Sequence, residues 1–209
     1  MYVLYIVCIM TTIQVLNRVL DSFELKNHEY LVSKEYYDNL SGYNEYRLYS
    51  YLTNFFNGTV ILDIGTYMGR SAVSLVDNSA NHVITYNIVD DIQLPGHPIY
   101  RLPNLEFRMK NVLDDLTPEF IQNVSMIFID IDGYGVRERE IIAKLDEVGF
   151  SGLLFIDDIY HPDVELNRCM GELWEELKTT HNVVDMTRYG HYTGTGLVYM
   201  NTDIRLELL

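Results

Sequence analysis

From residue 57 onward, apolar β-rich runs alternate with amphipathic segments. That alternation predicts an α/β fold: a mainly parallel, doubly wound sheet of about seven strands with helices on both faces. Two further observations agree. Residues 60–71 read as a buried strand, a glycine turn and a helix start, the unit from which such sheets are built. Acidic residues then recur at the ends of successive strands, which in a parallel sheet share one edge. The final strand should differ. The chain between the last two strands, 187–195, is too short for a parallel crossover, so the last strand should run antiparallel to its neighbour.

The elements follow in order. Residues 1–10 are continuously apolar, but fall short of the ~20 needed to span a bilayer. They lack a basic n-region and a cleavage site. They read as an extension, with an alternative start at Met10 leaving Met1 to Ile9 outside the native chain. From 12 to 23, Val15, Leu16, Val19, Leu20 and Phe23 fall at helical spacing. A short helix fits 30–40. A longer one fits 44–56, with Leu48, Leu52, Phe55 and Phe56 on one face and Asn44 as N-cap. Residues 1–56 thus form an apolar extension and helical cap, and 57–209 the α/β domain. Strands are expected at 59–64, 82–89, 105–109, 125–131, 152–156, 183–186 and 196–200. Helices are expected at 118–123, 136–148 and 162–179, the last with Pro162 in its first turn.

Composition removes several functions. A net charge of −15 opposes a nucleic-acid surface, which needs lysine and arginine to displace counterions. Two cysteines, Cys8 and Cys169, make neither a disulfide framework nor a zinc spacing, and free thiols suit a reducing, cytoplasmic setting. The 17 tyrosines, many before residue 60, suit a lid or a face that packs against a second copy of the chain. No nucleic-acid or membrane partner is expected.

Residues 60–71 alone do not separate a packing turn from a ligand cradle. The strand-end acids favour the cradle. Asp63 ends the first strand, Asp90 and Asp91 follow the second, Asp130 and Asp132 end the fourth, and Asp157 and Asp158 end the fifth. Any one of them could merely cap a helix. Together they would converge on one crevice and repel unless neutralised, a role for a hard divalent cation such as Mg2+. His161 follows the acidic pair, and His191 lies in the glycine-rich loop before the last strand. A neutral histidine there could accept a proton, or simply hydrogen-bond a turn.

These residues resemble class I S-adenosylmethionine-dependent methyltransferases, in particular the catechol O-methyltransferase and cephalosporin-hydroxylase-like branches, over residues 57–200. The resemblance implies a Rossmann-like sheet. Asp63-Ile64-Gly65-Thr66-Tyr67-Met68-Gly69-Arg70-Ser71 is similar to the family's first motif, which holds the methionine end of the cofactor, with Tyr67 where a middle glycine is usual. It implies S-adenosyl-L-methionine contacts from Asp63, Gly65, Thr66, Tyr67, Gly69 and Ser71. The ribose acid at the end of the second strand corresponds to Asn87, with Asp90 as fallback. Asn111 and Val112 match the segment near the adenine. Asp130 would touch the cofactor and, with Asp132, Asp157 and Asp158, bind the metal. Gly133 stands where such enzymes often carry a histidine.

The implied function is O-methylation of a small-molecule hydroxyl, assisted by Mg2+, with His161 or His191 as base. Two other functions stay open. A nucleotide-cofactor oxidoreductase lacks its G-x-G-x-x-G fingerprint here, and a non-catalytic nucleoside-binding member would explain Asn87 and Gly133.

Overall fold

The computed structural model describes residues 11–34, 37 and 43–209. The apolar run 1–10, with Cys8, and most of the expected helix at 30–40 lie outside them. Nine strands and six α-helices are described. In chain order they are β1 (Thr11–Val15), α1 (Asn17–Ser22), α2 (Tyr43–Thr53), β2 (Val60–Ile64), α3 (Arg70–Leu75), β3 (His82–Asn87), β4 (Leu105–Met109) and α4 (Pro118–Ile121). Then come β5 (Val124–Ile129), α5 (Val136–Glu147), β6 (Gly152–Ile156), α6 (Val164–Thr180), β7 (Asn182–Asp185), β8 (Gly196–Met200) and β9 (Ile204–Leu208).

Seven strands form the main sheet in the order β4-β3-β2-β5-β6-β8-β7. The first five run parallel, and β8 is antiparallel to both β6 and β7. The expected doubly wound sheet with an antiparallel last strand is therefore the fold. Both of its faces are covered, and successive strand residues divide between two cores. Ile61, Val83, Met126, Phe128, Leu153 and Phe155 face one side, packed with Leu48 and Leu52 of α2 and Val73 of α3. Leu62, Ile64, Ile84, Ile127, Ile129 and Ile156 face the other, packed with Ile141 and Leu145 of α5 and Trp174 of α6. Side chains alternate along a strand, so a strand covered on both faces must be apolar throughout.

The N-terminal expectations need correction. Residues 12–23 are not one helix: β1 is a strand that pairs in parallel with β9, Thr11 opposite Ile204 through Val15 opposite Leu208, and only Asn17–Ser22 are α-helical. Ile13 and Val15 are buried while Thr11, Thr12 and Gln14 are exposed, the period of two that a strand requires. The partner strand lies at the far end of the chain, where local periodicity cannot register it. Within 30–40, the described residues hold only the end of a 3-10 turn, His28–Tyr30. Asn44 lies inside α2 rather than capping it. Pro162 lies before α6, whose N-cap is Asp163, accepting from the amides of Glu165 and Leu166 at 3.0 Å each.

Candidate active site

The sheet ladder carries on past the strand ends and fixes where the site residues stand. The Gly65 amide donates to the Tyr86 carbonyl (2.9 Å), the Asp130 amide to Ile64 (2.9 Å), and the Asp157 amide to Ile129 (3.0 Å). Gly65, Asp130 and Asp157 are thus adjacent steps on the carboxyl edge of the sheet. The antiparallel β8 adds a fourth, because Gly196 opposite Ile156 brings residues 191–195 to the same edge.

A cleft of about 500 Å³ opens over this edge. Its walls include Gly65, Tyr67, Asn87, Asp91, Lys110, Asn111, Val112, Asp130 and Asp132. Asp63, Thr66, Gly69 and Ser71 of the first motif are not among its walls. Asp63 is buried and accepts from the Thr85 hydroxyl (2.7 Å), which is bonded in turn to the Thr66 hydroxyl (2.6 Å). Burial pushes the Asp63 carboxyl up to about 6, against hydrogen bonds from Thr85 and Ser71. Asp63, Thr66 and Ser71 therefore hold the turn together from below. Gly69, at φ +74°, lies against the side chains of Ile99 and Ile92. The helix after the turn, Arg70–Leu75, is six residues long, under two turns.

Gly65 is demanded by packing whatever the turn binds. At φ +114° it brings the chain so close to the end of β5 that an added Cβ would lie 1.7 Å from the Asp130 carbonyl oxygen. Tyr67 takes a left-handed conformation (φ +39°) and is exposed at 59%, with the Arg70 guanidinium 5.7 Å from its ring centre. Asp90 does not line the cleft: its Oδ1 receives the Gln93 amide and the Tyr100 hydroxyl. At Gly133 a Cβ would meet the buried Glu138 carboxylate at 2.4 Å, and the Gly133 amide donates to that carboxylate (3.1 Å). The space a histidine side chain would need is already filled.

A second cavity of about 340 Å³ adjoins the first. Glu45, Tyr46, Arg70, Asp130, Asp157, His191 and Tyr192 line it, so among the described residues Asp130 alone lines both. Glu45, from α2, is only 4% exposed. Burial first, then the charge of Asp130, pushes its carboxyl well up. Burial likewise raises Asp157, followed by Glu45, Asp130 and Asp158. Asp130 is exposed at the cleft, and reduced hydration, then the charges of Asp158, Asp63 and Asp132, raise its carboxyl. Arg70 opposes the shifts at Glu45 and Asp130.

Asp157, Asp158 and His191 each offer one ligand atom, all within 4.8 Å of one another. Asp130 and Asp132 are not part of that group. The Thr195 hydroxyl donates to Asp157 Oδ1 (3.2 Å), and His191 Nδ1 lies 3.8 Å from Asp157 Oδ2 while bonded to the Thr193 hydroxyl. Two carboxylates and an imidazole fit a divalent cation. The oxygens suit Mg2+, and the nitrogen widens the choice to first-row ions such as Mn2+. Burial lowers the His191 imidazole, against the pull of Asp158. His161 lies outside both cavities, its Nδ1 accepting from the Asp163 amide (3.0 Å).

The sequence had not singled out Glu45, Tyr46, Arg70 or Tyr192. Glu45 left a weak signal, as an acid four residues before Tyr49 on the buried side of an amphipathic helix.

No family model matches the chain, and no curated protein matches it in sequence. Solved structures do match it. An S-adenosylhomocysteine-bound methyltransferase from Podospora anserina aligns at TM-score 0.60 and 12% identity, covering 74% of this chain and 77% of that one. A protein from Staphylococcus aureus assigned as a caffeoyl-CoA O-methyltransferase aligns at 0.57 and 17%, covering 74% and 82%. One from Klebsiella pneumoniae assigned as an O-methyltransferase aligns at 0.51 and 18%, covering 75% and 78%. At such identities the likeness is one of fold. This chain has the Rossmann-like fold of the class I S-adenosylmethionine-dependent methyltransferases.

Proposed function

We propose that the protein is an S-adenosyl-L-methionine-dependent methyltransferase that methylates a hydroxyl of a small molecule with the help of a divalent cation. One observation carries this reading: a cleft large enough for a nucleoside and a polar cavity meet at Asp130. A methyl group delivered from the cleft would meet an acceptor held in the cavity. Transfer would be an in-line displacement at the methyl carbon, for which the fold's main contribution is to hold the two reactants at near-attack distance.

Within the cavity, Asp157, Asp158 and His191 are the residues that would hold the cation. When bound, such an ion would polarise the acceptor hydroxyl. With His191 engaged there, Glu45, whose buried carboxylate lines the same cavity, is the group placed to accept the hydroxyl proton. Arg70 would offset the negative charge that gathers around the acceptor. Tyr46 and Tyr192 line the cavity beside five charged or imidazole side chains, which favours a small polar acceptor over a long aliphatic one.

Calorimetric titration with S-adenosyl-L-methionine tests the reading directly, and no binding at millimolar cofactor would sink it. Labelled-methyl transfer to a hydroxyl panel, with Mg2+ or Mn2+ and with chelator, tests the reaction and its metal.

A further inference from the structure

The helix α6 buries one side and leaves the other bare. Leu166, Met170, Leu173, Trp174 and Leu177 pack into the core. Val164, Arg168, Gly171, Glu175 and Lys178 recur at helical spacing on the opposite side. A groove of about 400 Å³ runs along α6 beside Tyr160 and Pro162. It shares no lining residue with the cleft or the second cavity. Val164, which lines it, is 84% exposed, more than any other large apolar side chain among the described residues.

Gly171, in the middle of this face, has no reason within the chain to be glycine. Every other glycine among the described residues either holds a positive φ or would bring a Cβ within 3.0 Å of a neighbour. Gly171 does neither, and a Cβ there would meet only Asn167 Oδ1, at 3.9 Å. It lies inside a helix of 17 residues, which glycine weakens relative to almost any side chain. What it supplies is bare helix backbone in the groove, which lets another helix approach closely. Arg168 and Glu175 stand three and four residues to its two sides. Antiparallel copies of α6 crossing at Gly171 would set each Arg168 against Glu175 of the other copy, so the face complements itself. Within one chain Arg168 is paired with Glu172 (3.0 Å) and Glu175 with Lys178 (2.6 Å). These are exposed contacts on one helix, weak enough to exchange.

We propose that this face of α6 is where two copies of the chain meet, their helices crossing antiparallel at Gly171 about a two-fold axis. Val164 and Lys178 lie seven residues to either side of Gly171, so each valine would lie along the aliphatic stem of the other copy's lysine. Nothing in this pairing depends on the cofactor or the acceptor.

Sedimentation of the full chain from micromolar to millimolar concentration is the test. A reversible monomer–dimer equilibrium is expected, because one helix face makes an interface at the small end of the range. Gly171→Leu should abolish the dimer while keeping or raising the urea midpoint, since leucine favours a helix that glycine weakens. Arg168→Glu and Glu175→Arg should each weaken self-association by about tenfold or more, through two like-charge contacts. Mixed together, these two variants should pair with each other at wild-type strength, each offering the charge the other needs. They carry the test should Gly171→Leu fail to fold. A wild type that stays monomeric at millimolar concentration overturns the interface. So does a dimer that survives Gly171→Leu, which would put the contact elsewhere, as on the tyrosine-rich N-terminal segment. Charge variants that fail to pair with each other overturn the two-fold crossing.

Discussion

The carbonyl oxygen of Asp130 stands 1.7 Å from the point that a β-carbon on Gly65 would occupy. The glycine turn and the end of β5 are therefore fitted to each other through backbone alone. The residue that borders both cavities is set by the one that opens the glycine turn. Gly65→Ala must push the two apart or unwind the turn, in a conformation (φ +114°) that a side chain resists. Overpacking of this kind costs about 1–3 kcal/mol or more. A urea midpoint lowered accordingly is the expected result, and an unchanged midpoint would show that the turn can relax freely.

Asp63 gives the fold a pH dependence of known sign. Its carboxyl is raised from 3.8 to about 6 in the folded protein, so the folded state binds the proton more tightly than the unfolded one. Its contribution is most favourable below pH 4 and is lost as pH rises through about 6. Asp63→Asn keeps an acceptor for the Thr85 hydroxyl and removes the charge. The variant should lose less stability than wild type between pH 4 and pH 6.5, by on the order of 2 kcal/mol. Urea titrations at the two pH values measure the difference, and parallel pH profiles would count against a raised Asp63.

Glu45→Gln keeps the shape of the cavity wall and removes the carboxylate proposed as base. General-base catalysis contributes roughly 10²–10⁴ in rate. The variant should lose kcat in that range while S-adenosylhomocysteine binding stays within about twofold of wild type, since Glu45 lies outside the larger cleft, where the cofactor is proposed to bind. A fall in cofactor affinity with kcat preserved would assign Glu45 to packing instead.

Asp158→Ala should abolish the effect of added Mg2+ or Mn2+ on methyl transfer, and His191→Ala should weaken it, both with cofactor binding largely intact. Asp132→Ala should leave metal dependence unchanged, because Asp132 stands outside the group formed by Asp157, Asp158 and His191. Metal-titration curves for the three variants separate these outcomes, and a metal response that survives in Asp158→Ala would discard the donor set.

How much of this was legible beforehand varies by residue. The strands expected at 59–64, 125–131 and 152–156 were legible because a strand covered on both faces is apolar along its length. The order of elements then implied a shared carboxyl edge, and with it the closeness of Gly65, Asp130 and Asp157. The same motif implies a cofactor contact at Asp63. Its place beneath the turn depends on Thr85, a residue of the neighbouring strand, which spacing along one strand does not reveal.

What the sequence determined by itself was the sheet, its antiparallel last strand and the edge where acids gather, since each follows from period, chain length and strand polarity. What tertiary structure decided was every relation between residues distant along the chain. Residues 11–15 became a strand because residues 204–208 lie beside them, an interaction that outweighs local helical spacing. Glu45 became part of the site because α2 packs over the sheet. His191 joined Asp157 and Asp158 because β8 runs back to their edge. Local pattern fixes which way a side chain points along its own element. Only packing fixes what stands opposite.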